Sequence, residues 1–514
     1  MGNSHIEDNK RIAKNTIMLY IRILFGMLVS FYTSRVILNA LGVEDYGIQN
    51  VVGGFVSMFS LISSSLSSSV GRFITFELGK GDADGVKRVF STSVLIHIVL
   101  AIIILLLSET VGLWFVNNKM VIPDNRLYAA NWVFQASIVS FVFGLLSVPY
   151  NALIIAHERM SAFAYIGILD ILLKLFIVLF VAYAPFNFDK LIAYSWLMMG
   201  LGVLMRFIYA SYCRRNFEES KICWEFDRRC WREMGSFAGW NFIGCTASLF
   251  STQGVDVLLN LFFGPVINAV KSIAGTVSGA IGSFAGNFMM ALIPQITKSY
   301  AAEDKEYTFS IVERGARFSF FIMFLFTLPI FLEIEFVLTF WLKQYPQEAI
   351  LFVRLILIVA LCDIISKTLI TLQSATGKIR NYQIVVGGML MMNLPLSYVF
   401  LKLGCPPEST LIVAIFVSLC CLVLRLLFLR KMVGLSIRQF IKNVCVKIAI
   451  VIVLSSIVPA IIYFNMDHGW IRFFIVGAMS VLCASLAILF LGCSKGERVF
   501  IIGKLKSISR KIAK

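Results

Sequence analysis

The sequence predicts an all-α polytopic membrane protein of about fourteen transmembrane helices, built as two six-helix lobes and a C-terminal helix pair. Three observations carry this reading. The 514-residue chain is 59% hydrophobic and only 15% charged, with mean hydropathy +0.84, whereas soluble domains hold about 25% charged residues. Apolar runs long enough to cross a hydrocarbon core recur from end to end. The chain also repeats itself: residues 11–215, shifted by 222 positions, fall on the second half without a gap.

The spans fall near 15–39, 48–77, 89–116, 127–148, 161–184, 191–212, 236–262, 266–297, 309–335, 347–370, 383–402, 409–430, 444–464 and 470–492. They read as helices because lipid cannot satisfy open backbone groups, and the ten-residue alternation of a membrane barrel is absent. Under the 222-residue offset, Leu41-Gly42 meets Phe263-Gly264, and Gly79-Lys80-Gly81-Asp82 meets Ala301-Ala302-Glu303-Asp304. The organisation expected is an N-lobe over 1–215, a basic linker over 216–232, a C-lobe over 233–437 and two appended spans with a tail over 438–514. Six spans is an even number, so both lobes share one topology and are related by an axis along the membrane normal. Tyr150–Met160, like its counterpart Leu372–Tyr382, reads as a short interfacial segment. In the tail Glu497–Lys514, Phe500, Ile501, Leu505, Ile508 and Ile512 alternate with Lys and Arg, the pattern of an amphipathic helix lying on a membrane surface. No cleavable signal peptide and no soluble domain are expected.

The net charge of +17 sits in alternate loops. Lys80, Lys87 and Arg88 follow the second span, Arg214, Arg215, Lys221, Arg228, Arg229 and Arg232 the sixth, and Arg430, Lys431, Arg438 and Lys442 the twelfth. Such a pattern puts both termini in the cytoplasm and faces anionic membrane lipids; it is not a nucleic-acid surface. The eleven cysteines form no C-x-x-C, and the four histidines are dispersed, so neither a disulfide framework nor a metal site is expected. There is no phosphate-binding GxxxxGK loop, nucleophile elbow or H-E-x-x-H, which argues against an enzyme and against a bound cofactor.

Chemistry is expected at two kinds of position. Gly53, Ser57, Ser60 and Ser64 share one helix face, and the offset places Gly275, Gly279, Gly282 and Gly286 on the matching face of the eighth span. A glycine costs about 1 kcal/mol in a helix relative to alanine, so four on one face serve close packing, bending or a smooth cavity wall. Charges within spans cost about 3 kcal/mol each at the bilayer centre and therefore mark function. The cations are Arg22, Arg35, Lys174, Arg206, Lys271, Arg354 and Lys367; the acids are Asp170, Asp256 and Asp363. Asp170–Lys174 and Asp363–Lys367 are spaced i,i+4, which allows local ion pairs. Asp256 stands alone, with Arg35 at nearly equal depth in the other lobe, and the two are expected to latch the lobes together. The surplus of cations suits an anionic cargo, since Arg grips phosphate oxygens bidentately.

The stretch Ser34-Arg-Val-Ile-Leu-Asn-Ala-Leu-Gly-Val-Glu-Asp-Tyr-Gly47, followed by Val70-Gly-Arg-Phe73 and Gly79-Lys-Gly-Asp82, resembles the polysaccharide-export branch of the multidrug/oligosaccharidyl-lipid/polysaccharide exporter superfamily, the O-antigen flippases. The resemblance covers the whole chain. It implies a V-shaped, two-lobe transporter in the bacterial inner membrane, similar to multidrug exporters of the same superfamily. The implied activity is the flipping of undecaprenyl-pyrophosphate-linked oligosaccharide, an O-antigen or capsule repeat unit, from the cytoplasmic to the periplasmic leaflet. It carries Arg35 and Arg72 over as cavity cations and Asp256 as an acid of the seventh span. The lipid-linked oligosaccharide and membrane lipids are the expected partners, with a polysaccharide polymerase complex as a further candidate and H+ or Na+ as candidate coupling ions. The alternatives are a cation-coupled multidrug exporter of the same superfamily, a flippase for the peptidoglycan precursor lipid II, and a non-transporting scaffold for polysaccharide assembly.

Overall fold

The computed structural model describes residues 2–499, apart from 58, 119, 121, 185–188, 222–226, 343–344 and 495. Regular structure among the described residues is entirely helical. Among the described residues, thirteen helices are long and apolar enough to cross a membrane. The expected second span, 48–77, is not among them. It is helical over Ser60–Lys80, but seven of that helix's first ten residues are serine, which lowers its hydropathy. The tail expected to form a surface helix lies outside the described residues beyond Val499.

The helix boundaries follow local chemistry. Helix Gly2–Ser57 runs through the first span and breaks at Gly42, whose φ of 84° and ψ of 168° leave the helical region. Asp82 caps the helix Ala83–Leu107 by accepting the Gly85 N–H at 2.8 Å. Asp189 does the same for Lys190–Asn216, accepting from Leu191 at 2.9 Å. The segment Tyr150–Met160 is not a separate interfacial piece. Its first part completes the helix Leu127–Ala156, which passes through Pro149, and a tight corner with Glu158 at φ 59° leads into Met160–Tyr183.

The duplication survives as backbone geometry. Gly42 (φ 84°) and Gly264 (φ 77°) are left-handed at offset 222, and so are Gly81 (φ 76°) and Glu303 (φ 59°). At the latter two corners the same bonds recur: Asp82 N–H to Glu77 O at 3.2 Å matches Asp304 N–H to Ser299 O at 3.1 Å. A glutamate in the left-handed region is strained where a glycine is not. The corner itself is therefore what the fold retains.

The chain divides into two compact units, Met1–Cys245 with Thr297–Asp304, and Thr246–Ile296 with Lys305–Lys514. The first unit thus takes in two segments of the second repeat. One cluster of its core gathers Val52, Val56, Val116, Val133, Phe134 and Leu191. Arg126 ties that unit together away from the basic loops, with its Nε 2.7 Å from Asp45 Oδ1 and its Nη1 on Asp189 at 2.5 Å.

In the second unit, the helix Lys305–Leu332 is joined to the C-terminal elements at two levels, just past its last residue and near its middle. Arg472 places Nε 2.9 Å from Glu333 Oε1, and its Nη2 donates to Glu333 Oε2 at 3.0 Å; the two side chains are 3% and 1% exposed. Near mid-helix, Arg317 Nη2 donates to both Glu497 oxygens at 2.6 and 2.7 Å. The sequence reading passed over Arg317, Arg472 and Glu333, because charges near span ends resemble ordinary interfacial anchors.

Candidate functional site

In the first unit, Asp170 and Lys174 form the i,i+4 pair that their spacing allows, at 2.7 Å. Arg22 lies over the Phe163 ring at 4.7 Å, within electrostatic reach of Asp170. Gly167 makes room for it: a Cβ there would stand 2.7 Å from Arg22 Cδ. Arg206 sits 4.0 Å from the Tyr150 ring. Arg72 lies 4.5 Å from both Phe73 and Phe76 and 5.9 Å from Phe237. Arg35 is exposed and makes no ion pair among the described residues.

In the second unit, Asp256 does not stand alone. Lys271 Nζ is 2.7 Å from its Oδ1 and also donates to Thr252 O at 3.2 Å. Asp256 and Lys271 lie eight residues before and seven after the turn at Gly264, so the antiparallel hairpin of Arg228–Phe263 and Pro265–Ala301 brings them face to face. The acid expected to wait for Arg35 already has a partner. Asp363 and Lys367 form no ion pair; Asp363 instead accepts the Ser418 hydroxyl at 2.5 Å, and both side chains are exposed. Arg354 donates from Nε to Phe331 O at 3.2 Å and lies 5.8 Å from the Phe331 ring. Arg425, which the sequence reading missed, is buried and donates to the Tyr382 hydroxyl at 3.1 Å.

The glycines of the matched faces have no close neighbour within their own unit. A Cβ at Gly53, Gly275, Gly279, Gly282 or Gly286 meets nothing within 4 Å, and helix Pro265–Ala301 runs through its four glycines unbroken. Ser60 and Ser64 are exposed as well, and the Ser57 side chain lies outside the described residues. Within the unit, the Gly282–Gly286 pair makes no close helix contact. We expect Gly279→Ala and Gly286→Ala each to raise stability in detergent, by up to about 1 kcal/mol. A fall in the unfolding midpoint would instead mean that the glycines are packed.

A seam in the first unit joins segments from both repeats on the basic side. Ser65 Oγ donates to Ala238 O at 2.7 Å, Ser69 Oγ to Met234 O at 3.1 Å and Asn241 Nδ2 to Ser65 O at 3.4 Å. Phe73 meets Phe237 edge-on at 5.9 Å. Buried Glu158 holds Lys298 at 2.7 Å and accepts, through its carbonyl, from Asn15 Nδ2 at 3.3 Å. The closest approach is at Gly79, where a Cβ would come within 2.7 Å of Ala301 Cβ and 2.8 Å of Lys298 Cα and O. Ala301 is Gly79's own counterpart in the repeat, so equivalent positions of the two repeats meet within this unit.

His157 borders this seam, stacked on Phe217 at 4.3 Å and 3.9 Å from Glu219. Burial lowers its pKa from 6.5; Lys298 and Arg159 add to the effect, while Glu219 and Glu158 oppose it. The unfolded chain therefore takes up this proton before the folded one does. The contribution to stability is full above pH of about 6.5 and is lost as pH falls toward the lowered folded value. We expect His157→Gln to flatten that acid-side decline in a melting series from pH 7 to 5.

A family profile described as "Polysaccharide biosynthesis protein" matches residues 12–300. The chain is 22% identical over 303 residues to the "Uncharacterized membrane protein EpsK" of Bacillus subtilis (strain 168), a match taking in 57% of this chain. It spans 58% of that relative's length. Among solved structures, it is similar to a multidrug resistance MATE family transporter of the MOP superfamily, in an outward-facing conformation. The TM-score is 0.69 at 12% identity, covering 82% of this chain and 96% of the other. It is also similar to a MOP superfamily transporter from Pyrococcus furiosus Vc1 (DSM3638), for which a reverse polarity of the binding pocket was taken to suggest a different function. There the TM-score is 0.67 at 13% identity, covering 82% and 96%. At these identities the likeness establishes the fold.

Proposed function

Because the chain belongs to the polysaccharide biosynthesis protein family, we propose that it is a flippase for a lipid-linked oligosaccharide. The cargo in this reading is an undecaprenyl-pyrophosphate-linked O-antigen or capsule repeat unit. It passes by alternating access from the cytoplasmic to the periplasmic leaflet of a bacterial inner membrane, with both protein termini in the cytoplasm.

The observation that carries the proposal is how the in-span cations are held. Lys174 and Lys271 are neutralised by carboxylates, whereas Arg22, Arg206 and Arg354 rest on aromatic rings. A ring stabilises a guanidinium without consuming its charge, and each such contact contributes about 0.5–2 kcal/mol. The planar donor fork of Arg22 and Arg206 stays available to pyrophosphate oxygens, and Arg354, whose Nε donates to Phe331 O, keeps its two terminal nitrogens for them. Asp363, exposed and bonded to Ser418, is the acid we assign to any H+ or Na+ coupling.

The test is reconstitution into vesicles with a fluorescent undecaprenyl-pyrophosphate oligosaccharide, followed across the bilayer, with and without a proton or Na+ gradient. Arg206→Lys keeps the charge but loses the fork, so about tenfold slower flipping is expected, one charge-assisted hydrogen bond being roughly 1.5 kcal/mol. Export of cationic drugs with no movement of the lipid-linked sugar would overturn the reading in favour of a drug exporter.

A further inference from the structure

Two cavities flank the corner where the second repeat gives way to the appended helices, and they differ in charge balance. The helix Ser409–Val433 ends at Gly434, whose φ is 83°. The chain re-enters helix at Ile437, with Ser436 Oγ accepting the Gln439 N–H at 3.3 Å. On one side of this corner lies a cavity of about 520 Å3 whose charges are matched internally. Arg317 and Arg314 both face Glu497, and Asn443 donates to Glu313 at 2.8 Å. On the other side is a cavity of about 490 Å3 lined by Arg430, Arg438, Lys442, Ile437, Ile441 and Val446. Its cations are all exposed, and none pairs with a carboxylate among the described residues. Ile441 and Val446 are 44% and 45% exposed and continue the wall along the helix that becomes a span.

We propose that this second cavity binds one anionic phospholipid. A phosphodiester among Arg430, Arg438 and Lys442 would neutralise cations that the protein leaves unmatched. The acyl chain would then cover the aliphatic wall below. Basic pockets at the ends of spans are suited to such headgroups. The chain's own tail is a poor occupant, since after Glu497 it carries Arg498, Lys504, Lys506, Arg510, Lys511 and Lys514 and no acid. A soluble polyanion would make no use of Ile441 and Val446. None of the residues lining it is among the cations assigned to transport.

The test uses the full-length protein in detergent, titrated with phosphatidylglycerol, phosphatidylcholine or inorganic pyrophosphate. Unfolding midpoints and native mass spectra are the readouts. Phosphatidylglycerol is expected to raise the midpoint and to be retained at least tenfold more tightly than phosphatidylcholine. The R430Q/R438Q/K442Q variant should lose this preference while keeping its lipid-free midpoint. If that midpoint falls, I441W is read instead; it blocks the chain groove without touching a charge and should lose the same preference. Equal retention of both lipids, or a preference surviving in both variants, overturns the proposal. So does pyrophosphate alone matching the effect of phosphatidylglycerol, which would make this a small-anion site.

Discussion

Arg472→Ala is expected to destabilise the protein by about 3–5 kcal/mol, the cost of leaving one member of a buried ion pair without its partner. The pair qualifies because neither charge has an escape to water. Glu333 is 1% exposed and Arg472 3%, and the guanidinium addresses both carboxylate oxygens. Arg472 also lies 4.6 Å from the Tyr463 ring and 2.8 Å from His468 Nδ1, so alanine removes packing as well as charge. The double variant Glu333→Leu/Arg472→Met should recover most of the loss, because an apolar pair of similar volume needs no compensation. Denaturant unfolding in detergent, run as a double-mutant cycle, measures the coupling. Strictly additive costs would show that the pair is not what joins the last span to helix Lys305–Leu332.

Gly79→Val is expected to abolish most transport while leaving each helix intact. Two of the three atoms that its Cβ would meet, Lys298 Cα and O, belong to backbone and cannot rotate away. Overpacking of this kind costs about 1–3 kcal/mol. Charged against the closed seam alone, that is about a 5- to 150-fold shift in population. If the proposed alternating access works by forming and parting this seam, a bias of this size slows the cycle. Ala301→Gly removes only one of the three close atoms, and the Gly79→Val/Ala301→Gly double variant should recover little. Vesicle flipping rates and trypsin sensitivity of the 297–304 segment provide the readouts. Wild-type flipping by Gly79→Val would show that the close approach has no part in the cycle.

The helical, multispan fold could be read from hydropathy and the 222-residue repeat, because spanning lengths and left-handed corners are local properties. Gly42, Gly81 and Gly264 were visible as matched positions, and Glu303 took the same conformation without being glycine. The charges were harder to interpret. Asp170 and Lys174 lie on one helix face, so their spacing announced the pair. Asp256 and Lys271 lie on successive helices, and only the distance of each from Gly264 could have joined them. Arg317–Glu497 and Glu333–Arg472 are separated by 180 and 139 residues. No local period links such residues. The serines of 60–69, inside the span read at 48–77, lower that helix's hydropathy while supplying Ser65 and Ser69 to the seam.

The long separation between Glu333 and Arg472 also bears on how the molecule is made. Synthesis proceeds from the N-terminus, so Glu333 emerges 139 residues ahead of the arginine that neutralises it. Until the last helix inserts, that carboxylate must stay hydrated near a membrane surface, because an isolated charge in lipid is costly. A nascent chain stopped before Arg472 keeps a solvent-seeking acid at a position that the finished protein seals. The buried pair can therefore close only after both residues, 139 positions apart, are in the chain.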